Sequence, residues 1–89
     1  MKVLFDKNFE KELLREHNAN VKKAIKVIIF ETEAAKNIHE VNGIKKLKGY
    51  KTFFRIKVGT YRIGIEIKNN VVCFITYGHR KDFYRYFPK

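Results

Sequence analysis

The sequence predicts an α+β fold in which two N-terminal helices pack on one face of an antiparallel sheet of about four strands. Three observations support this class. Apolar residues in the first half recur at helical spacing. In the second half apolar and polar residues alternate, and glycine or asparagine separates the alternating runs. A chain of 89 residues is expected to form one domain, residues 1–89, because it is too short for a second hydrophobic core.

The chain is expected to begin with a short strand and a first helix. Val3 to Phe5 is an apolar run of the length of a short strand. Asp6 is a favourable helix cap, and the apolar residues that follow it lie on one narrow helical face. We therefore expect the first helix over residues 7–17.

The second helix has the clearest pattern in the sequence. A turn over residues 18–20 leads into it, with Asn20 as its expected cap. From Val21 the positions 21, 24, 25, 28, 32 and 35 follow the spacing of one helical face. This pattern predicts an amphipathic helix that ends near Lys36, and residues 37–49 are then expected to form a connecting loop.

Three strands and a short tail are expected after the loop. Gly59-Thr60 and Asn69-Asn70 are the predicted turns, because glycine and asparagine tolerate the positive φ of tight hairpins. The tail over residues 78–89 is too short for an independent helix, so a turn or a single helical turn is predicted. The expected strands cover residues 51–58, 60–68 and 71–77.

The first two of these strands bring three cations together. A two-residue turn after Val58 places Lys57 opposite Arg62, and the same register places Arg55 opposite Gly64. Like charges in these positions destabilise a sheet, whereas a glycine inside a strand allows a ligand to approach the backbone closely. A phosphodiester suits this surface, and cations on an ordinary solvated sheet face are the alternative.

A second basic and aromatic cluster follows the third strand. His79, Arg80 and Lys81 are consecutive there, and Tyr84 comes shortly after them. We expect these side chains to close the edge of the cationic face, with an aromatic ring available to stack on an unpaired RNA base. A structural or merely exposed role is the alternative for His79.

The charge of the chain is unevenly distributed. The formal net charge is +11, and residues 45–89 hold twelve Lys or Arg against two acidic residues, whereas residues 1–44 hold eight against seven. Such an excess of positive charge predicts a polyanionic partner. Nucleic acid is the most favoured partner, followed by an acidic protein and then by a membrane surface. A generally basic, solvated surface is the remaining alternative.

Composition also excludes several classes of protein. Cys73 is the single cysteine, so there is no internal disulfide, as is typical of a reducing compartment. No Cys or His spacing indicates zinc and no carboxylate pair occurs in the second half, so no metal or cofactor is expected. Charged residues interrupt the apolar runs at the N-terminus, so the sequence predicts a cytoplasmic protein without a signal peptide or membrane span.

Taken in order, these motifs resemble the RelE/ParE superfamily of bacterial and archaeal toxins. The resemblance covers essentially the whole chain and depends on two helices, then LKGYKTFFRIKVGTYRIGIEI, the NN turn, an apolar strand and GHRKDFYRYF. It implies a microbial-ribonuclease-like fold and a cognate antitoxin that covers the active surface. It also implies a monomeric free toxin that forms a hetero-oligomer with that antitoxin.

The superfamily has two branches with different targets. RelE-like members cleave messenger RNA in the ribosomal A site without a metal, whereas ParE-like members poison DNA gyrase and generally lack the ribonuclease residues. The resemblance favours the ribonuclease branch, with a gyrase inhibitor or an RNA-binding module without chemistry as alternatives. The RelE-like residues fall on five suitable positions of this chain, which are Arg55, Lys57, Arg62, Arg80 and Tyr84.

The resemblance also implies a role for each of these residues. RelE-like sequences usually have lysine at the position of Arg55, and arginine cannot release its proton, so Arg55 is expected to bind phosphate. Lys57 is the candidate base, with Tyr84 as the alternative base or a stacking platform. Arg62 is expected to hold the phosphate, and Arg80 to stabilise developing charge or to assist the leaving group, with His79 ranked below it as the candidate acid. The other expected substrate contacts are Gly64, His79 and Lys81.

Overall fold

The fold combines two N-terminal helices, a sheet and a short C-terminal helix, and the predicted α+β class is confirmed. The structure, a computed structural model, describes residues 1–88. Its elements in chain order are β1 (Lys2–Phe5), α1 (Lys7–Arg15), α2 (Ala19–Ala34), a 3₁₀ helix (Ile38–Glu40), β2 (Ile44–Lys46), β3 (Phe53–Val58), β4 (Tyr61–Lys68), β5 (Val71–His79) and α3 (Arg80–Tyr86).

The sheet has five strands in the order β1-β5-β4-β3-β2 and is mixed, which corrects the predicted antiparallel sheet of about four. β2 lies inside the predicted loop and pairs antiparallel with β3 at one edge. At the other edge β1 pairs parallel with β5. A strand of three residues is too short to show an alternating pattern, and the direction in which β1 pairs depends on contacts far along the chain.

Both predicted hairpin turns are confirmed. Gly59 has a φ of 59°, and Asn69 and Asn70 have φ values of 50° and 65°. Positive φ at these positions gives the turn the twist that antiparallel strands need. The strands therefore pair in the predicted register, with Lys57 opposite Arg62.

The helix caps agree with the prediction at α1 and differ at α2. The Asp6 carboxylate accepts a hydrogen bond from a backbone N–H of the first turn at 2.8 Å. In α2 the cap is Asn18, whose Oδ1 accepts from the backbone N–H groups of Asn20 and Val21 at 3.0 and 3.2 Å. The predicted cap Asn20 is therefore wrong, because the neighbouring asparagine already satisfies the first turn.

Both helices cover one face of the sheet. Phe9 of α1 and Phe74 of β5 are at most 1% exposed, and their ring centroids are 5.5 Å apart. Aromatic rings at this distance stabilise each other beyond the area that they bury. The core that forms around them consists of Phe9, Ile25, Ala35, Ile38, Val41, Ile56, Ile63, Ile65, Val72, Phe74 and Tyr77.

The tail forms a helix of seven residues, α3, and crosses the opposite face of the sheet. The predicted single turn is therefore too short. The Nδ1 atom of His79 caps the helix by accepting from the backbone N–H of Lys81 at 3.2 Å. Phe83 and Phe87 are 2% and 3% exposed, so burial of aromatic rings supports a helix that would be unstable alone.

The helices of the described chain are all too short or too polar to cross a lipid bilayer.

Candidate phosphate-binding site

Arg55, Lys57 and Arg62 lie on the sheet face opposite the main core, and we call these three residues the cation patch. Lys57 and Arg62 are direct partners across β3 and β4. Gly78 of β5 is the next residue in the same row, because it pairs with Arg62. The neighbouring row runs from Arg55 to Gly64. The predicted grouping of the three cations is confirmed.

Backbone carbonyls hold both arginines of the patch in place. Nη1 of Arg62 donates to the carbonyl oxygens of Gly59 and Tyr61 at 3.0 and 2.9 Å. Nη1 of Arg55 donates to the carbonyl oxygen of Gly43. A guanidinium has five N–H donors, so each arginine is oriented through one nitrogen and keeps further donors for an anion.

The charges of the cation patch have no carboxylate partner among residues 1–88. The ion pairs in that part of the chain join Lys68 to Glu66 at 3.5 Å and Arg85 to Asp82 at 3.7 Å. Like charges that face each other without a counter-ion destabilise the sheet. An anion bound at this face would relieve that repulsion, which makes the patch a candidate phosphate site.

α3 brings a second group of predicted residues near this face. The backbone N–H of Arg80 donates to the carbonyl oxygen of Thr60 at 2.8 Å, so α3 begins at the turn between β3 and β4. The side chains of Arg80 and Lys81 are exposed, and that of Tyr84 is 54% exposed. The beginning of α3 therefore lies at the same end of the sheet as Lys57 and Arg62, and the three α3 side chains are open to solvent.

His79 has a structural part in this arrangement. Besides capping α3, its ring packs edge-on against the ring of Tyr61, with centroids 5.8 Å apart. The cap occupies Nδ1, which leaves Nε2 as the nitrogen available to a ligand. The structural alternative considered for His79 is thus observed, and its contact with substrate stays a prediction.

Gly64 does not provide the open floor that the sequence predicts. It is buried, and a Cβ atom built on it would lie 2.7 Å from Cγ of Phe87. The ring of Phe87 thus fills the space that a phosphate was expected to occupy. The expectation of an open floor at Gly64 is wrong, because the tail returns across this face of the sheet.

The open glycine of this face is Gly78 instead. Apart from the two neighbouring residues in the chain, no atom would lie within 4 Å of a Cβ atom built on Gly78. Gly78 pairs with Arg62, so it lies beside the cation patch with free space above its backbone. Sequence reasoning missed Gly78 because the third strand was expected to end before it.

Lys45 is a second residue that sequence reasoning missed. It is exposed and pairs with Arg55 across β2 and β3. It therefore extends the positive surface to the edge of the sheet. No local pattern indicated this position, because the short strand β2 lies within a segment that reads as a loop.

The acidic side chains of α1 serve the fold. The carboxylate of Glu12 accepts from the hydroxyl of Thr76 at 2.9 Å, and burial raises the pKa of Glu12 above its ordinary value. The hydroxyl of Tyr77 donates to the carboxylate of Glu16 at 2.8 Å, and burial raises the pKa of Tyr77. These contacts join α1 to β5. Among the described residues, no group of three or more His, Cys, Asp or Glu side chains could hold a metal.

Comparison with known proteins identifies a relative that matches along the whole chain. The chain is 44% identical over 89 residues to the protein named Toxin RelE3 from Methanocaldococcus jannaschii. The matched region covers 99% of this chain and 100% of that protein. A search against models of protein families found no match.

Solved structures share the fold. The chain matches the RelB-RelE antitoxin-toxin complex from Methanococcus jannaschii with a TM-score of 0.80 and 41% identity, covering 96% of this chain and 99% of that chain. It also matches the intact E. coli RelBE toxin-antitoxin complex with a TM-score of 0.68 and 23% identity, covering 88% and 94%. The second likeness, at its lower identity, shows the fold alone.

Proposed function

Because this chain belongs to the RelE family of toxins, we propose that it is a metal-independent endoribonuclease that cleaves messenger RNA in the ribosomal A site and thereby stops translation. The observation that carries the proposal is the cation patch beside Gly78. Its charges have no carboxylate partner among residues 1–88, and the glycine beside it is open. A phosphodiester backbone fits a surface with unpaired cations and room above the strand.

The proposed reaction is a transesterification within the RNA. The ribose 2′-oxygen attacks the adjacent phosphorus while its proton passes to the side-chain nitrogen of Lys57, which acts in its uncharged amine form after losing a proton to solvent. The bond from phosphorus to the 5′-oxygen breaks, which gives a 2′,3′-cyclic phosphate and a free 5′-hydroxyl. Lys57 is preferred as the base because an arginine cannot release its proton, and Tyr84 is the alternative base.

Arg62 and Arg55 bind the phosphate oxygens in this proposal. Each is already oriented by backbone carbonyls through Nη1, so the remaining N–H donors meet the developing negative charge with little reorganisation. Arg80 stabilises the charge on the leaving 5′-oxygen until that oxygen takes up a proton from water. Tyr84 can also stack on a base, and the ribosome would supply part of the substrate orientation.

We also propose that a cognate antitoxin is the protein partner of this chain. The relatives of known structure include toxins in complex with an antitoxin. Residues 45–89 carry a net +10 by formal charge, and such a surface binds RNA without specificity unless it is covered. An antitoxin that covers the cation patch would prevent this binding, and the free toxin is proposed to be a monomer.

Inhibition of DNA gyrase by a protein of the same fold is the rival function. The two functions are distinguished by mapping transcript ends after the chain is expressed in cells. The proposed ribonuclease is expected to produce new 5′ ends with codon phase inside translated regions, while untranslated regions stay intact. DNA damage with intact messages would support gyrase poisoning. Intact messages and intact DNA during growth arrest would support RNA binding without chemistry.

Gly78→Ala is expected to keep the fold and to reduce RNA cleavage by roughly tenfold or more, because the added methyl group displaces the RNA backbone from the cation patch. Since no atom beyond the two neighbouring residues lies within 4 Å of that methyl group, the melting temperature should be unchanged or higher, as glycine weakens a strand interior. Cleavage rate and melting temperature are measured on the same preparation.

Gly78→Val extends this test, because the larger side chain fills more of the same space. Cleavage should fall further than with alanine. Full activity of the valine variant in a folded protein would show that RNA does not approach the sheet at this glycine.

A further inference from the structure

Phe87 makes an unusually close contact with the sheet. It lies directly after α3, and its side chain is 3% exposed. A Cβ atom at Gly64 would lie 2.7 Å from Cγ and 2.8 Å from each Cδ of the ring. Real Cβ atoms do not approach other atoms so closely, so the ring occupies this position only because residue 64 is glycine.

Two further aromatic rings complete this contact. The ring centroid of Phe53 in β3 is 5.4 Å from that of Phe87, and the planes are nearly perpendicular at 79°. The ring centroid of Phe83 in α3 is 5.3 Å from it, at 38°. We call Phe53, Phe83 and Phe87 the tail cluster. It lies on the face opposite the main core, which contains none of its members.

The tail cluster and one backbone contact attach α3 to the sheet. The helix has seven residues, which is too short for stability without tertiary contacts. At its beginning, the backbone N–H of Arg80 donates to Thr60 at 2.8 Å. At its end, the backbone N–H of Phe87 donates to the carbonyl oxygen of Phe83 at 3.1 Å, which joins the buried ring to the last turn.

We propose that Phe87 is a positioning residue for the reaction: its ring on Gly64 holds α3 so that Arg80 and Tyr84 stay beside the cation patch. This inference rests on the proposed function, because it concerns where two of its reacting groups lie. Gly64 then serves the site indirectly. Its missing side chain leaves space for the ring that orients α3, and the phosphate does not bind there.

The structural half of the proposal is tested by amide hydrogen exchange in Phe87→Ala, Phe87→Leu and the unchanged chain. In Phe87→Ala the amides of residues 83–87 are expected to lose protection, while those of β3, β4 and α2 keep it, because the main core is untouched. Phe87→Leu should restore most of the protection, since it keeps an apolar side chain of similar reach. Unchanged protection of α3 in Phe87→Ala would overturn the proposal.

The functional half is tested by RNA cleavage with the same proteins. Phe87→Ala is expected to lower kcat by about tenfold or more with a smaller change in KM, because misplaced reacting groups affect the transition state more than binding. Phe87→Leu should recover most of kcat. The matched control is Phe30→Ala, which removes a ring that is 73% exposed in α2 and should leave kcat unchanged.

A double-mutant cycle identifies the contact itself. Gly64→Ala in the natural background should expel the ring and expose α3 amides to exchange. In the Phe87→Ala background the same change should have no further effect, because the atom that it would meet is gone. Equal effects of Gly64→Ala in both backgrounds would overturn the proposal.

The remaining outcomes are also decisive. Loss of α3 protection in Phe87→Ala with undiminished or increased cleavage would overturn the proposal, and an increase would mean that the ring blocks the site. An unchanged chain that cleaves no RNA would overturn the proposed function instead. Hydrogen exchange would still show in that case whether Phe87 holds α3.

Discussion

Arg62→Ala and Lys57→Ala are each expected to slow RNA cleavage by about 10²- to 10³-fold, the usual effect of removing a group that stabilises charge or transfers a proton in the transition state. The two residues pair across β3 and β4 and have no carboxylate partner among residues 1–88. Removing Arg62 therefore removes an interaction with the phosphate, removing Lys57 removes the proposed base, and neither change leaves an unpaired acid behind. The measurements are cleavage of messenger RNA on translating ribosomes and growth after induction.

Conservative variants separate the two roles. Lys57→Arg places a permanent cation at this position that cannot accept a proton, so its loss of activity should resemble that of Lys57→Ala if Lys57 is the base. Arg62→Lys keeps a cation without the planar fork that matches phosphate oxygens, so it should lose less activity than Arg62→Ala. High activity of Lys57→Arg would assign the proton transfer to another group, with Tyr84 the first candidate.

The control for these variants removes one positive charge at a distance from the patch. Lys23 is exposed in α2, so Lys23→Ala lowers the net charge equally and should leave cleavage and growth arrest unchanged. If Lys57→Ala and Arg62→Ala both remain as toxic as the unchanged chain, the ribonuclease proposal fails. Urea unfolding of each variant shows whether it is folded.

Phe74→Ala is expected to lower the free energy of unfolding by about 3–5 kcal/mol. Phe74 is 0% exposed, and its ring centroid lies 5.6 Å from that of Phe5 and 5.5 Å from that of Phe9. The change leaves a cavity at the junction of α1, β1 and β5 that these elements cannot fill. Since a small domain has roughly 5–15 kcal/mol of stability in total, much of it would be lost.

The midpoint of urea unfolding measures this effect, and Phe30→Ala is the matched control. Phe30 has the same side chain but is 73% exposed in α2, so its removal should change stability by no more than about 0.5 kcal/mol. A loss below about 1 kcal/mol in Phe74→Ala would show that the main core does not depend on this ring.

The β3–β4 hairpin shows how far local sequence determines this fold. Alternating residues specify which side chains share a face, and Gly59 permits the positive φ that sets the turn. From these two facts the pairing of Lys57 with Arg62 follows. The unpaired positive face could therefore be predicted before the structure was known, as could the amphipathic helix α2.

The edges of the sheet show where such reasoning ends. β2 has three residues, too few for a pattern, so Lys45 could not be placed beside Arg55. The parallel pairing of β1 with β5 joins the two ends of the chain, and no local signal encodes it. Both depend on contacts that form only when the helices pack on the sheet.

By itself the sequence determined the α+β class, the hairpin register and the concentration of positive charge on one sheet face, because turn chemistry and side-chain alternation act over a few residues. Only the tertiary structure decided which glycine of that face is open. The ring of Phe87 covers Gly64 and leaves Gly78 free, because the tail returns across the sheet and buries its aromatic residues there. A contact between residues so far apart in the chain depends on the packing of the whole molecule.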